Sequence, residues 1–458
     1  MINKPKGCYD IYGEDAKKWQ YVSKLFDSLM EKYNYNYIRT PIFESSELFH
    51  RGMGESTDVV TKETYDFKDR GDRNITLRPE GTAGIVRSYI ENKMYGDCQP
   101  VKLFYNGTMY RYERPQSGRD REFTQIGVEV LGTDDPMSDA EVISIPVIFL
   151  SMLGLKGVKV KINSLGDKES RDNYRTALID YFRPHLKDLC EDCNARLDNN
   201  PLRILDCKVD KDNPILENAP KTLDYLNVES KKRFDEVKSY LDELGIDYQV
   251  DSRLVRGLDY YNHTVFEIEA SVEGFGSNNV LAGGGRYNGL VDLLGGPETP
   301  GIGFACGIGR VIKALDLEQI KLPIESGVEV FVMYVSDTEK KYASSLVQYM
   351  RNNGFRVDTE YTGRGLKAQF KQADRLNAKY LLILNDEDLK NDEIKIKNNK
   401  TKEEELVSLD YLLYYLDEHL GDEIDDIEGN CSCGHSHECA GEHTCHGECS
   451  CGGHNEEI

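Results

Sequence analysis

Residues 108–125 read TMYRYERPQSGRDREFTQ, and this stretch decides what kind of surface the chain builds. Tyr110 to Glu113 alternate bulky and charged residues as a strand does, Pro115 to Gly118 break the run, and Glu122 to Gln125 resume it on a returning strand. On such a ribbon Arg111, Glu113, Phe123 and Gln125 fall on one side. A guanidinium matches phosphate oxygens in paired hydrogen bonds, and a phenyl face can stack on a purine. The segment therefore has the chemistry of a nucleoside triphosphate site. Taken alone, a solvated, charged hairpin is the simpler reading of it.

Three further segments change that balance. LVRGLDYY (254–261) joins an arginine to paired tyrosines, and AGGGRYNGL (282–290) is a glycine run ending in arginine and tyrosine. Glycines there would admit a ligand to the backbone. GIGFACGIGR (301–310) reads as a glycine-rich strand passing into a helix, with Arg310 near the helix start. Together these segments resemble the histidyl-tRNA synthetase family, a class II aminoacyl-tRNA synthetase group. Arg111 to Gln125 is similar to its motif 2, Gly301 to Arg310 to motif 3, and LVRGLDYY and AGGGRYNGL to the two signatures peculiar to the histidine enzymes. Tyr33 to Glu44 (YNYNYIRTPIFE) resembles motif 1 through Pro41, with Asn34 where the family usually has glycine. Asparagine tolerates positive φ better than most residues, so the turn need not be lost.

The resemblance covers residues 1 to about 420 and implies an α+β chain. A class II antiparallel-sheet catalytic domain would occupy 1–325, with a helical insertion at 170–248. An α/β anticodon-binding domain would follow at 326–420, and 421–458 would be an acidic linker and tail. The implied activity joins L-histidine to ATP as an adenylate, with Mg²⁺, and then transfers it to the 3′ end of tRNA(His). Arg256 and Arg111 are the implied catalytic cations. Arg111, Glu113, Arg119, Arg121, Phe123 and Arg310 would hold ATP, with Phe123 against adenine. Glu80, Gly81, Thr82, Arg111, Gln125, Glu129, Arg256, Tyr260, Tyr261 and Tyr287 would hold histidine. Among them Glu129 and a tyrosine phenol would read the two imidazole nitrogens, and a pocket this polar needs no editing domain. An ion pair between Arg256 and Asp259 is the competing structural role for that arginine, and an ordinary charged strand position that for Glu129. The resemblance also implies a homodimer, with Tyr37, Ile38 and Pro41 facing the partner. The main alternative is a non-catalytic relative that regulates histidine biosynthesis. Such relatives typically lose the arginine of LVRGLDYY and the C-terminal domain, whereas this chain keeps both.

Composition sets the outer bounds. At 458 residues the length suits roughly two to four domains. Met1 to Gly13 is polar and charged, unlike a signal peptide. The longest apolar stretch, Val142 to Leu155, contains Ser144, Pro146 and Ser151 and is too short to span a bilayer. A cytoplasmic protein without membrane or DNA partners is expected. The formal charge of −23 argues against a nucleic-acid partner at first sight, but residues 421–458 hold ten acidic and no basic side chains, leaving 57 basic against 70 acidic elsewhere. A local basic patch suffices for tRNA.

Along the chain, residues 15–34 place Trp19, Val22, Leu25, Phe26, Leu29 and Tyr33 at helical spacing. A short helix is expected from Ala83. From Val328 the pattern alternates strand and helix, ending in a helix near Leu406 to His419, as a partly parallel sheet requires. Residues 421–430 have little to bury.

Of the twelve cysteines, six (Cys8, Cys98, Cys190, Cys193, Cys207 and Cys306) are scattered through the body and six crowd the last 28 residues. His185, Cys190, Cys193 and Cys207 form a candidate Cys₃His zinc set in the insertion, with buried or loop thiols as the simpler reading. The tail carries Cys431, Cys433, His435, His437, Cys439, His443, Cys445, His446, Cys449, Cys451 and His454. Eleven such ligands with almost nothing apolar to bury point to an adaptable Zn²⁺, Cu(I) or Ni²⁺ binding or storage segment. An inert low-complexity tail is the alternative. The tail lies outside the family pattern.

Overall fold

The structure, a computed structural model, describes residues 2–421 apart from 55–56, 58, 114–119, 206, 208, 211, 276–278 and 325–326. Its chain forms two compact units, the first ending at Ile324. In that unit the strands run β1 (Asn36–Tyr37), β2 (Phe43–Ser45), β3 (Tyr65–Lys68), β4 (Asn74–Leu77), β5 (Val101–Tyr110), β6 (Glu122–Leu131), β7 (Val158–Ser164), β8 (Tyr248–Val250), β9 (Asn262–Ala270), β10 (Val280–Arg286) and β11 (Gly301–Gly307). A small sheet takes the order β2-β4-β3, and the large one β1-β5-β6-β11-β10-β9-β7-β8. All neighbours in the large sheet are antiparallel except the two edge pairs, β1 with β5 and β7 with β8.

Because side chains alternate along a strand, register sorts them onto two faces. One face lines up Phe104 with Val128 and Phe304, and Ile126 with Cys306 and Ala282. It packs against Phe26, Leu29 and Met30 of the helix Gly13–Lys32, Phe149 of Pro136–Met152 and Val311 of Ile308–Leu317. Phe26 meets Phe149 edge-on at 5.3 Å. The opposite face carries Tyr105, Gln125, Gly127, Glu129, Gly283 and Gly303, a row too small and polar to form a core.

The first helix fits the spacing that forecast it, and it closes at Tyr33 with Asn34 at φ 58°. The asparagine takes a left-handed conformation that favours glycine, and a short amide side chain makes that tolerable. Within 170–248 the helices Lys168–Phe182 and Glu191–Asn199 share a separate core with Tyr174, Phe182, Leu197 and Ile204. The last helix of that stretch, Val228–Glu243, differs: Phe234, Val237 and Leu241 join the main core. Among the described residues no helix is long and apolar enough to cross a membrane.

The second unit holds β12 (Val330–Tyr334), β13 (Val357–Thr359), β14 (Tyr380–Leu384), β15 (Glu393–Asn398) and β16 (Glu404–Ser408), in the order β13-β12-β14-β15-β16. β13, β12 and β14 run parallel. All five residues of β12 are buried, with Val330, Val332 and Tyr334 in one core and Phe331 and Met333 in another. An apolar run without alternation is what a strand covered on both faces needs. Residues 406–408, expected to open the last helix, instead belong to β16, where Leu406 lies opposite Lys395. That helix is Leu412–Gly421.

One buried ion pair pins the first unit's sheet to its helices. Arg286 is fully buried at the end of β10. Its Nε donates to Asp139 Oδ1 (2.9 Å), Nη1 to the Thr133 carbonyl (2.9 Å) and Nη2 to Ser138 Oγ (2.9 Å). Asp139, at the start of Pro136–Met152, also accepts from Thr264 Oγ1 of β9 at 2.7 Å. Asp139→Asn would leave the buried guanidinium with only the half-exposed Asp134 as counter-charge and would also take a carboxylate from Arg233. Denaturant unfolding should show a loss of about 3–5 kcal/mol; a loss below ~1 kcal/mol would mean that the pair does not hold the sheet.

Candidate active site

On the polar face of the large sheet, four of the expected histidine-pocket residues meet in one chain of hydrogen bonds. Thr82 Oγ1 donates to Glu129 Oε1 at 2.6 Å and the Tyr287 hydroxyl to Glu129 Oε2 at 2.5 Å. Glu80 accepts from the backbone N–H of Thr82 (2.7 Å) and Ala83 (2.8 Å), so its carboxylate sits on the first turn of the helix Thr82–Glu91. Exposed helix N–H groups and the helix dipole both favour an anion there. Tyr260 and Tyr261 are packed ring to ring at 4.5 Å, and Tyr260 meets Tyr287 edge-on at 5.8 Å.

Arg256 pairs with Glu267 of β9 and lies over the Tyr261 ring at 5.7 Å. Burial works against its charge, but Glu267 and the two tyrosines hold it above the ordinary guanidinium range. The anticipated partner, Asp259, instead accepts from Asn200 Nδ2 at 2.8 Å. Glu267 faces Gly283 across β9 and β10, and the arginine lies over that glycine. A Cβ on Gly283 would overlap its guanidinium, and one on Gly303 would overlap the Glu129 carboxylate. Glycines expected to admit a ligand to the backbone thus first admit the protein's own charged side chains.

At the other end of β5 and β6, the Arg111 guanidinium rests 5.5 Å from the Phe123 ring centroid, and its Nε donates to the Pro79 carbonyl at 2.9 Å. Arg111 is thereby held next to Glu80, whose carboxyl is raised by burial and partly relieved by the Ala83 and Thr82 N–H groups and by Arg111. Arg121 stacks on Tyr112 at 3.8 Å and donates through Nε to the Glu113 carbonyl at 3.2 Å. Arg310, in the first turn of Ile308–Leu317, donates to the Val280 carbonyl. Arg119 and the eleven tail ligands from Cys431 to His454 lie outside the described residues. In the insertion, His185 is not among the clustered thiols. It packs on Tyr181 at 5.5 Å, and Asp210 takes its place beside Cys190, Cys193 and Cys207.

The site contains two groups that reading the sequence missed, Tyr105 and Glu267. Tyr105, buried on β5, and Gln125 of β6 have the hydroxyl and Oε1 respectively without hydrogen-bond partners among the described residues, as does Nε of Arg256. Buried polar atoms are rarely left unpaired unless a ligand completes them. Tyr105 gave no signal in an apolar-looking run, and Glu267 was visible only as alternation in FEIE. The arrangement can take a small zwitterion: buried carboxylates for an ammonium, phenols and a carboxylate for polar ring nitrogens, and guanidinium groups for a carboxylate or phosphate.

The comparisons with known proteins agree with this geometry. Residues 7–311 match the family described as Histidyl-tRNA synthetase, and 329–419 match Anticodon binding domain. The chain is 55% identical over 406 residues to a Histidine--tRNA ligase of Anoxybacillus flavithermus, spanning 88% of this chain and 96% of that protein. It is 53% identical over 417 residues to that of a Geobacillus species, spanning 91% and 99%. Among solved structures it is similar to apo S. aureus histidyl-tRNA synthetase, with a TM-score of 0.79 and 46% identity over 91% of this chain and all of that one.

Burial pushes the Glu129 carboxyl up to about 8, against the help of Thr82 and Tyr287. Between its ordinary range near ~4.3 and that value, the folded protein keeps a proton that the unfolded chain releases, so stability falls as pH rises through the window. Thermal melts of the ligand-free protein from about pH 5 to pH 8 should slope more steeply downward for the wild type than for Glu129→Gln, by at most about 1.4 kcal/mol per pH unit. Parallel slopes would mean that Glu129 titrates as an ordinary carboxylate.

Proposed function

The chain belongs to the histidyl-tRNA synthetase family, and from that premise we propose how its residues carry out histidine–tRNA ligation. The histidine carboxylate attacks the α-phosphorus of ATP, diphosphate leaves, and the adenylate's carbonyl is then attacked by a ribose hydroxyl at the 3′ end of tRNA(His), releasing AMP. The attacking carboxylate is already ionised, so the first step needs no general base. It needs cations to offset repelling anions and the charge gathering on the phosphoryl oxygens.

The observation that carries this reading is the Glu129 chain with Thr82 and Tyr287, set beside Arg256. Each Glu129 oxygen keeps a second lone pair for a substrate N–H, so Glu129 reads the donor nitrogen of the imidazole, and Tyr260 or Tyr261 the other. Glu80, Thr82 and Gln125 receive the α-ammonium, and Gly81 lets the first turn of the helix approach. Arg256 and Arg111 bracket the substrate carboxylate and α-phosphate, as catalytic cations. Glu113, Arg119, Arg121 and Arg310 serve the rest of the triphosphate, with adenine against Phe123. Mg²⁺ suits this end of the site. The one cluster of three or more metal-ligating groups among the described residues is elsewhere, and an ion held chiefly by phosphate oxygens and water needs no more than an isolated carboxylate such as Glu113. When bound it neutralises phosphate charge.

The second unit would read the anticodon. A homodimer is proposed on β1, an edge strand whose Tyr37, with Ile42 and Phe43 beyond it, leaves apolar side chains exposed. A cytoplasmic location suits the tRNA substrate. The Cys/His-rich tail beyond residue 421 is proposed as a separate soft-metal segment, since the family matches stop at 419. A regulatory, non-catalytic role has less support: Arg256 is present, and the residues matching the anticodon-binding family follow it.

Two measurements test this reading. Arg256→Ala should lower histidine-dependent ATP–diphosphate exchange by about 10²-fold or more while the protein stays folded, with a melting temperature lowered by the loss of Glu267's partner; near-normal exchange would remove Arg256 from the chemistry. Light scattering at micromolar concentration should give twice the chain mass, and a monomer would contradict the edge-strand interface.

A further inference from the structure

The insertion's small core contains a grouping that the synthetase reaction does not use. Cys190, Cys193, Cys207 and Asp210 each present one ligand atom, and the four atoms lie within 4.8 Å of one another. Cys190 and Cys207 place their sulfurs 3.6 Å apart. A tetrahedral zinc ion with sulfur arms of about 2.3 Å would set its thiolates about 3.8 Å apart, so the group needs only a slight breath to close on an ion. All three thiols are free, and Cys193 and Cys207 are buried.

The fold gives such an ion a task. Cys190 caps the helix Glu191–Asn199 and Cys193 lies in its first turn, while Cys207 and Asp210 come from the segment that follows the turn Pro201–Ile204. That segment has neither helix nor strand among its described residues before Pro214. One Asp210 oxygen already accepts the Cys190 N–H at 3.0 Å, which leaves the other oxygen for a metal. The surrounding core is small, built on Tyr174, Phe182 and Leu197, and cores of that size commonly rely on a metal or disulfide as a staple.

We propose that Cys190, Cys193, Cys207 and Asp210 form a structural Zn²⁺ site that clamps Cys207 and Asp210 to the start of the helix Glu191–Asn199. Three thiolates and one carboxylate complete the tetrahedron, so no coordination position is left for a substrate water, and the role is structural. On binding, each thiol yields its proton to solvent. His185 takes no part.

The test uses the full-length chain with its tail cysteines, Cys431 to Cys451, changed to serine, so that any thiolate signal comes from the insertion. Zinc content by atomic emission should be one ion per chain. Cobalt(II) loading should give the near-ultraviolet sulfur-to-cobalt charge-transfer band with visible bands of tetrahedral intensity. Cys193→Ser should abolish that band. Because this variant can misfold, Asp210→Asn and His185→Ala supply the decisive pair. Asp210→Asn should keep a thiolate band but weaken zinc binding by about ten-fold or more, as loss of even an outer-shell partner does, whereas His185→Ala should bind like the parent. Absence of zinc together with absence of a cobalt–thiolate band overturns the site, and loss of binding in His185→Ala with full binding in Asp210→Asn overturns the ligand set. Histidine-dependent exchange by the parent chain is read separately, so failure of the metal site and failure of the ligase reading are distinguishable.

Discussion

The first unit depends on a division of labour across one antiparallel sheet. Its alternation forces each strand to give one set of side chains to each face, and the strands agree: apolar rings and branched chains go to one side, small or polar residues to the other. The polar side works only because Gly283 and Gly303 carry no Cβ. Without that clearance, Arg256 and Glu129 could not lie against the sheet where they do. Pressed onto backbone and shielded by tyrosines, these charges interact through a medium far less screening than water. The same two arginine–carboxylate and carboxylate–phenol contacts on an open surface would have little influence on anything bound there.

Burying charge requires anchoring it, and Arg286 with Asp139 does so from the core side. Breaking such a pair leaves a stranded ion, so the geometry around it is sharply defined even where an apolar replacement of both partners would be as stable. Tyr287 follows Arg286 directly, and its phenol holds Glu129. The anchor therefore reaches the polar face of the sheet through one peptide unit.

What could be read from the chain alone were features governed by local pattern. The first helix, the returning strand β6 from Glu122 and the alternating elements of the second unit each announce themselves within a short window, whereas Arg111 to Glu113, read as strand, lie beyond the end of β5 at Tyr110, and residues 114–119 lie outside the described residues. Asn34 is of this kind too, since its tolerance of positive φ is a property of the residue. What could not be read depends on register between distant strands or on loop return. Asp259 was the nearest acid to Arg256 in sequence, yet β9 pairing with β10 delivers Glu267 instead. His185 was the nearest imidazole to the cysteine pair, yet the chain folding back from Ile204 delivers Asp210. Residues 406–408 read as the start of the last helix, yet pairing with β15 makes them strand.

Under the proposed reading, the buried polar atoms of the site would govern its selectivity. Tyr105, Gln125 and Arg256 each keep a buried polar atom unpaired among the described residues, and each such atom costs the empty protein roughly 1–3 kcal/mol. A ligand that supplies matching donors and acceptors recovers that cost on binding. An apolar analogue of the same shape leaves it standing and adds the desolvation of Glu129 besides. Discrimination against a side chain lacking hydrogen-bonding nitrogens can then reach the ~10⁴-fold range from the pocket alone. On that reading the choice of substrate would rest on matching the buried polar groups of the pocket rather than on its shape.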